Sequence, residues 1–148
     1  MTDLYERDTY TWAMQQADAL RRRSANEVDW DNVAEEIESV GKSEARELES
    51  RYIVLLTHLL KWLFQPSERS RSWEATIKVQ RRLIEKEHRN NPGLKPRREE
   101  LFADAYVAAL GAAASETGLG LEIFPETNPF TLAEAMDEGF WPEQPGSK

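Results

Sequence analysis

The chain has 148 residues, no cysteine, a formal net charge of −8 at pH 7 and a mean hydropathy of −0.68. It is long enough to bury one core, and the lack of cysteine excludes disulfides, thiol nucleophiles and cysteine-ligated zinc. No apolar run approaches the roughly 20 residues that a membrane span needs, and the acidic N-terminus does not fit a signal peptide. We therefore expect one domain over residues 1–148, in the cytoplasm and away from membranes.

The charge is unevenly distributed along the chain. Residues 1–60 carry a net charge of −6, residues 61–98 carry +7, and residues 99–148 carry −9. Two interpretations of the basic central third remain open: it packs beside acidic helices of the same chain, or it presents an anion- or phosphate-binding surface. The pattern favours the first, because an acidic protein repels nucleic acid at long range.

The first predicted helix begins at Asp8, a favourable N-cap residue, and ends near Arg23. Apolar residues recur along it at helical spacing and predict its buried face. That predicted face consists of Tyr10, Ala13, Met14, Ala17 and Leu20.

The segment from Trp30 to Trp62 has the longest helical periodicity in the sequence. One side of its helical wheel is apolar; this side consists of Val33, Ile37, Val40, Leu48, Leu55 and Leu59. The phase persists across Gly41, which favours one long kinked helix or two nearly collinear helices. A hairpin at Gly41 is the alternative, since glycine often ends a helix.

Two more helices and a different kind of tail follow. Ser70 or Ser72 is expected to cap a helix that reaches about Arg89. Another helix runs from about Pro96 to about Thr117, before a glycine that suits a helix C-terminus.

The tail from residue 119 to residue 129 contains glycines and prolines and is expected to be extended. Its apolar side chains should lie in a groove; they are Leu121, Ile123 and Phe124. Thr131 and Glu134 then form a capping-box pattern that begins a short helix. Because no useful strand-like alternation occurs, we predict an all-α fold: one compact bundle of about five to six helices, an extended C-terminal segment and a short final helix.

Several stretches carry a family resemblance. They are LYERDTYTWAMQQADALR from Leu4, VAEEIESVGKSEARELESR from Val33, HLLKW from His58, SRSWEATIKVQR from Ser70, and the later runs FPETNPFTLAEAM and FWP. Together they resemble a bacterial family catalogued as domain of unknown function 29. The resemblance implies a compact helical domain of bacterial origin. It implies no activity and assigns no catalytic residue, since the family's function is not established.

The first candidate site is a polar cluster beside the predicted core side of the central segment. It consists of Glu36, Glu44, Arg51, His58 and Arg81. Buried charges need partners, so we expect a structural Glu–Arg–His network, with Arg81 paired to Glu36 or Glu44. The alternative is a carboxylate–histidine metal site. Glu36 and His58 could share an ion only across a hairpin, because the 22 residues between them span about 33 Å of straight helix.

The second candidate site is a basic and aromatic surface in the central third of the chain. Its members are Lys61, Trp62, Arg71, Trp73 and Lys78. Positive charge combined with ring stacking suits single-stranded nucleic acid. Tryptophans at helical core spacing, however, are more often part of a core.

No glycine-rich phosphate loop, Walker lysine, GxSxG or HExxH motif occurs in the sequence. We predict an uncharacterised bacterial domain that acts as a non-catalytic interaction or regulatory module without metal or cofactor. An unidentified protein partner and a homo-oligomer are both open. The alternatives are a divalent-metal-dependent enzyme that uses a Glu/His cluster, and nucleic-acid binding through residues 61–98.

Overall fold

A computed structural model describes residues 4–144. These residues form six α-helices: α1 (Leu4–Arg7), α2 (Thr9–Arg21), α3 (Trp30–Phe64), α4 (Arg71–Asn90), α5 (Arg98–Thr117) and α6 (Leu132–Met136). Short 3-10 turns lie at Ala25–Glu27, Pro66–Glu68, Pro92–Arg97 and Leu121–Ile123. No strand occurs within the described range, which confirms the all-α prediction and the short final helix.

The chain divides into two compact units, an N-terminal unit of residues 1–43 and a C-terminal unit of residues 44–148. The boundary lies within α3, which continues through Gly41 without a break. One long helix is therefore confirmed, and the hairpin at Gly41 is excluded. That residues 1–148 form a single domain stays a prediction.

The N-terminal unit is built around the indole of Trp12 on α2. Its Nε1 donates a hydrogen bond of 3.0 Å to Asp29 Oδ2, and the Tyr5 ring lies 4.6 Å away between centroids. Gln16, one turn after Trp12, accepts a 2.7 Å hydrogen bond from the Asp29 backbone N–H. Among residues 4–43, three hydrophobic side chains are buried: Trp12, Ala19 and Val28.

The prediction for the buried face of α2 is wrong. Tyr10 is 74% exposed and Leu20 is 43% exposed, and Met14 is exposed as well. The buried side instead carries Trp12 and Ala19, with the polar Gln16 between them. A glutamine on the packed side breaks the apolar pattern, so periodicity alone selects the opposite side of the helix.

The C-terminal unit contains one hydrophobic cluster, to which α3, α4, α5 and the C-terminal segment contribute. Its fully buried large side chains are Leu48, Tyr52, Leu55, Leu56, Leu59, Leu60, Ile77 and Ile84. Burying each Leu or Ile contributes roughly 1.5–3 kcal/mol relative to exposure. Buried alanines line α5 at positions 105, 109 and 113, and such small side chains allow a close approach between helices.

The helix ends in the C-terminal unit follow the sequence signals closely. Ser70 caps α4 by accepting a 3.2 Å hydrogen bond from the Trp73 N–H. Gly118 ends α5 in the left-handed region with φ of 76°. Thr131 and Glu134 form the predicted capping box at the start of α6. These three local predictions are confirmed.

The tail before α6 buries fewer side chains than predicted. Phe124 is buried and packs edge-on against Phe64, with 5.4 Å between ring centroids. Leu121 and Ile123, expected in the same groove, are exposed. The predicted extended C-terminal segment is confirmed, but a 3-10 turn at Leu121–Ile123 interrupts it and leaves these two side chains exposed. Across residues 4–144, no helix combines the length and the apolarity needed to cross a membrane.

Candidate functional site

The members of the predicted polar cluster each have separate partners. Glu36 lies in the N-terminal unit, where its carboxylate accepts a hydrogen bond from the Tyr5 hydroxyl. This hydrogen bond, together with the nearby negative charge, raises the pKa of Tyr5 to about 12. The carboxylate is therefore tied to α1, inside its own unit.

Three other members lie on the part of α3 that belongs to the C-terminal unit. Glu44 accepts a 3.3 Å hydrogen bond from Asn91 Nδ2, and Arg51 pairs with Glu47 at 2.7 Å. His58 Nδ1 lies 3.0 Å from the Val54 carbonyl oxygen. Positions seven residues apart are about 10.5 Å apart along a helix, so these side chains bond to closer groups rather than forming the expected network.

The last member of the cluster, Arg81, is buried, with 2% of its surface exposed. Its Nε donates to the Ala135 carbonyl oxygen and its Nη2 to the Phe140 carbonyl oxygen, each at 2.7 Å. The expected ion pair with Glu44 is not formed; Arg81 instead binds main-chain acceptors of the C-terminal segment. Within residues 4–144, no group of three histidine, aspartate or glutamate side chains is arranged to hold a metal ion.

The members of the basic and aromatic surface are divided between interior and exterior. Lys61 is 7% exposed, its Nζ lies 2.8 Å from Glu116 Oε1, and the same Nζ lies 4.7 Å from the centroid of Trp73. Arg71 and Lys78 are exposed, and Lys78 pairs with Glu74 at 2.8 Å. One face of the Trp73 indole is therefore occupied by a cation of the same chain.

Trp62 belongs to a stack of four side chains, which we call the tryptophan stack: Arg69, Trp62, Trp141 and Arg81. The Arg69 guanidinium lies 4.8 Å from the Trp62 ring, the two indoles lie 4.8 Å apart, and the Arg81 guanidinium lies 5.3 Å from the Trp141 ring. Each cation–π contact contributes roughly 0.5–2 kcal/mol. The stack attaches the C-terminal segment to α3 and α4.

Sequence reasoning missed a tyrosine–histidine pair in the C-terminal unit. Tyr52 on α3 is fully buried, and its hydroxyl lies 2.6 Å from His88 Nε2 on α4. Burial, followed by the positive charge of Arg98, lowers the pKa of His88 to about 4, and burial raises the pKa of Tyr52. Both shifts favour the uncharged form of each side chain. The sequence did contain a signal for the burial of Tyr52, because this residue lies four positions after Leu48 and three before Leu55 on the core side of α3.

The N-terminal unit also has an uncovered apolar groove between α2 and α3. It has a volume of about 250 Å³. Its walls are formed by Trp12, Ala13, Gln16, Ala17, Leu20, Val33, Glu36, Ile37 and Val40. Ile37 is 66% exposed and Val40 is 64% exposed. We had predicted both for the buried side of α3; that prediction is wrong here, although it holds for Leu48, Leu55 and Leu59.

The groove lies in an acidic part of the chain. Residues 1–43 contain ten acidic and five basic residues, a net charge of −5. Glu36 lines the groove itself, and Glu35 and Glu38 are exposed on the same helix. The groove therefore combines an apolar lining with one carboxylate, in a unit that carries a net negative charge.

A comparison with known proteins identifies a family but no individual relative. No curated protein and no solved structure matches the chain. A family model described as Domain of unknown function DUF29 matches residues 4–141, nearly the whole chain. The stretches that carry the resemblance include Trp62, Trp73 and Trp141, the indoles whose intramolecular contacts are described above. The chain belongs to the DUF29 family, a family of domains of unknown function.

Proposed function

We propose that this protein is a non-catalytic interaction module whose N-terminal unit binds a basic amphipathic helix of a partner protein. The observation that carries the proposal is the exposed apolar groove between α2 and α3. The absence of cysteine suits a reducing compartment, so we place the module in the bacterial cytoplasm.

The spacing of the groove residues supports a helical ligand. Ala13, Ala17 and Leu20 on α2 follow an i, i+4, i+7 pattern, and Val33, Ile37 and Val40 on α3 follow the same pattern. Both rows line the groove, and an amphipathic helix inserts its own i, i+3/i+4, i+7 side chains into a groove of this kind. Covering Leu20, Ile37 and Val40 would contribute roughly 1 kcal/mol for each side chain, since between 43% and 66% of each residue is exposed.

The charge of the N-terminal unit supports a basic ligand over a second copy of the chain. A symmetric dimer through this groove would bring together two surfaces that each carry a net charge of −5. A helix with lysines or arginines beside its apolar stripe would instead meet Glu36, the carboxylate that lines the groove. Opposite charges of this kind accelerate association and reject acidic competitors.

The test uses synthetic helical peptides as probes. One peptide carries leucines at helical spacing with lysines between them; a second replaces every lysine with glutamate; a third contains the residues of the first in scrambled order. Binding is followed by backbone amide NMR shifts. We expect the leucine–lysine helix to bind, with shifts at the groove residues, and the other two peptides to bind much more weakly.

Variants link this binding to the groove. The double substitution Ile37→Ser and Val40→Ser removes two exposed side chains, each expected to contribute roughly 1 kcal/mol, and should weaken peptide binding roughly 30-fold. The matched control is Val107→Ser on α5, where a valine that is 71% exposed is removed far from the groove in sequence. Equal binding of the glutamate peptide, or equal weakening by the control, would contradict the proposal. A concentration-dependent dimer abolished by Ile37→Ser would assign the groove to a second copy instead.

A further inference from the structure

The C-terminal unit contains a polar cavity with no assigned role. It has a volume of about 220 Å³ and is lined by Lys78, Arg81, Arg82 and Glu138. The three basic residues occupy positions i, i+3 and i+4 of α4 and therefore share one side of that helix. The wall carries three positive charges and one negative charge.

The buried arginine of this wall is incompletely paired. Arg81 Nε and Nη2 bind carbonyl oxygens, while Nη1 is buried and has no hydrogen-bond partner within the described part of the chain. A buried cation is costly unless an opposite charge and hydrogen bonds compensate it. Burial lowers the pKa of Arg81, and the more distant Asp137 and Glu138 oppose this effect without forming an ion pair with it.

The same contacts hold the guanidinium in place. Two hydrogen bonds of 2.7 Å and the indole of Trp141 fix the plane of the Arg81 side chain. An arginine that is already immobilised loses little conformational entropy when it binds an anion. The position is therefore pre-organised for a charged ligand.

The other two basic side chains are available to a ligand. Arg82 is exposed and forms no hydrogen bond or ion pair among residues 4–144. Lys78 pairs with Glu74, but both side chains are about half exposed. Such surface pairs contribute little and exchange readily. Arg82 and Lys78 can thus turn toward an anion in the cavity without breaking the fold.

We propose that this cavity binds a phosphoryl group, either as free phosphate or as a phosphate monoester carried by a ligand. A tetrahedral dianion matches the net charge of +2 on the wall and accepts hydrogen bonds from several directions, as three separate cationic side chains require. Glu138 opposes this charge and reduces the affinity.

Calorimetric titration with two probes, inorganic phosphate and phosphoserine, tests the proposal. Both are compared with sodium chloride at equal ionic strength, and the melting temperature is recorded in parallel. We expect saturable phosphate binding and a rise in melting temperature that chloride does not produce. Tighter binding of phosphoserine would identify an ester as the ligand, whereas equal binding would identify free phosphate.

Substitutions at exposed cavity residues keep the test independent of folding. Arg82→Gln should weaken phosphate binding on the order of tenfold, the size expected for one charge-assisted hydrogen bond, and Glu138→Gln should tighten it. Lys86→Gln is the matched control, since it removes one exposed positive charge from α4 outside the cavity wall. Ile37→Ser, in the N-terminal unit, should leave phosphate binding unchanged.

Two results would overturn the proposal. One is the absence of a saturable response to both phosphate probes beyond that of chloride. The other is an equal loss of affinity in Lys86→Gln and Arg82→Gln, which would show that net charge rather than the cavity attracts the anion.

Discussion

Acidification should destabilise the protein through the pair formed by the buried Tyr52 and the half-buried His88. The pKa of His88 falls from an ordinary 6.5 to about 4 in the folded chain, first because of burial and then because of Arg98. Below pH 6.5 the unfolded chain takes up a proton on this imidazole, whereas the folded chain does so only near pH 4. The stability is therefore complete above pH 6.5 and is lost progressively as the pH falls toward 4.

The size of this effect follows from the difference between the two pKa values. A fall from 6.5 to about 4 corresponds to at most about 3 kcal/mol. The ring is partly exposed to solvent, which screens the interaction, so we expect about half of this total. Because the transition is incomplete at pH 5, the expected loss between about pH 7.5 and about pH 5 is roughly 1 kcal/mol.

Urea denaturation at these two pH values measures the loss, and His88→Gln isolates its source. Glutamine stays neutral, so the variant should lose about 1 kcal/mol less than the unsubstituted chain on acidification. His58, whose pKa burial also lowers, acts in the same direction and is tested separately with His58→Gln. If His88→Gln has the same pH dependence as the unsubstituted chain, the assignment of acid sensitivity to this pair is wrong.

Three further substitutions test the fold by the free energy of unfolding in urea. Gly41→Ala should stabilise the protein by about 1 kcal/mol, because Gly41 lies inside α3 and the space that an added Cβ would occupy is open. A lower free energy of unfolding in this variant would contradict a regular helix at that position. Gly118→Ala should destabilise it by about 1 kcal/mol, because φ is 76° at that position; no change would argue against the left-handed cap. Trp141→Ala should cost about 3 kcal/mol by removing the centre of the tryptophan stack. The exposed Trp30 is the control, and Trp30→Ala should cost about 1 kcal/mol or less.

Local sequence signals predicted the helix ends well, because their causes lie within a few residues. Ser70 caps the backbone three positions later, and Thr131 and Glu134 bond to each other's backbone N–H groups. Gly118 takes a left-handed conformation that other residues resist. None of these features depends on what another helix does.

Apolar periodicity predicted which residues share a side of a helix, but not whether that side is covered. On α3 the same stripe is exposed at Ile37 and Val40 and fully buried at Leu55 and Leu59. The pattern is the same because periodicity records only which side of a helix is apolar. Only the position of neighbouring elements distinguishes them, and that information is not local.

The candidate sites show the same limit for polar residues. Arg81 was identified as a charged side chain beside the core, but its partners are the carbonyl oxygens of Ala135 and Phe140. Every residue carries a carbonyl group, so no side-chain pattern in the sequence marks these acceptors. The Tyr52–His88 pair was missed for a related reason, since 36 residues separate its two members.

The tryptophan stack also gives the protein a built-in optical reporter. Two indoles 4.8 Å apart and inclined at 48° should couple their electronic transitions and produce a paired positive and negative band in circular dichroism. Either Trp62→Phe or Trp141→Phe should abolish that pair of bands, because coupling needs both chromophores. The attachment of the segment around Trp141 to α3 and α4 can therefore be followed in real time during refolding without any added label.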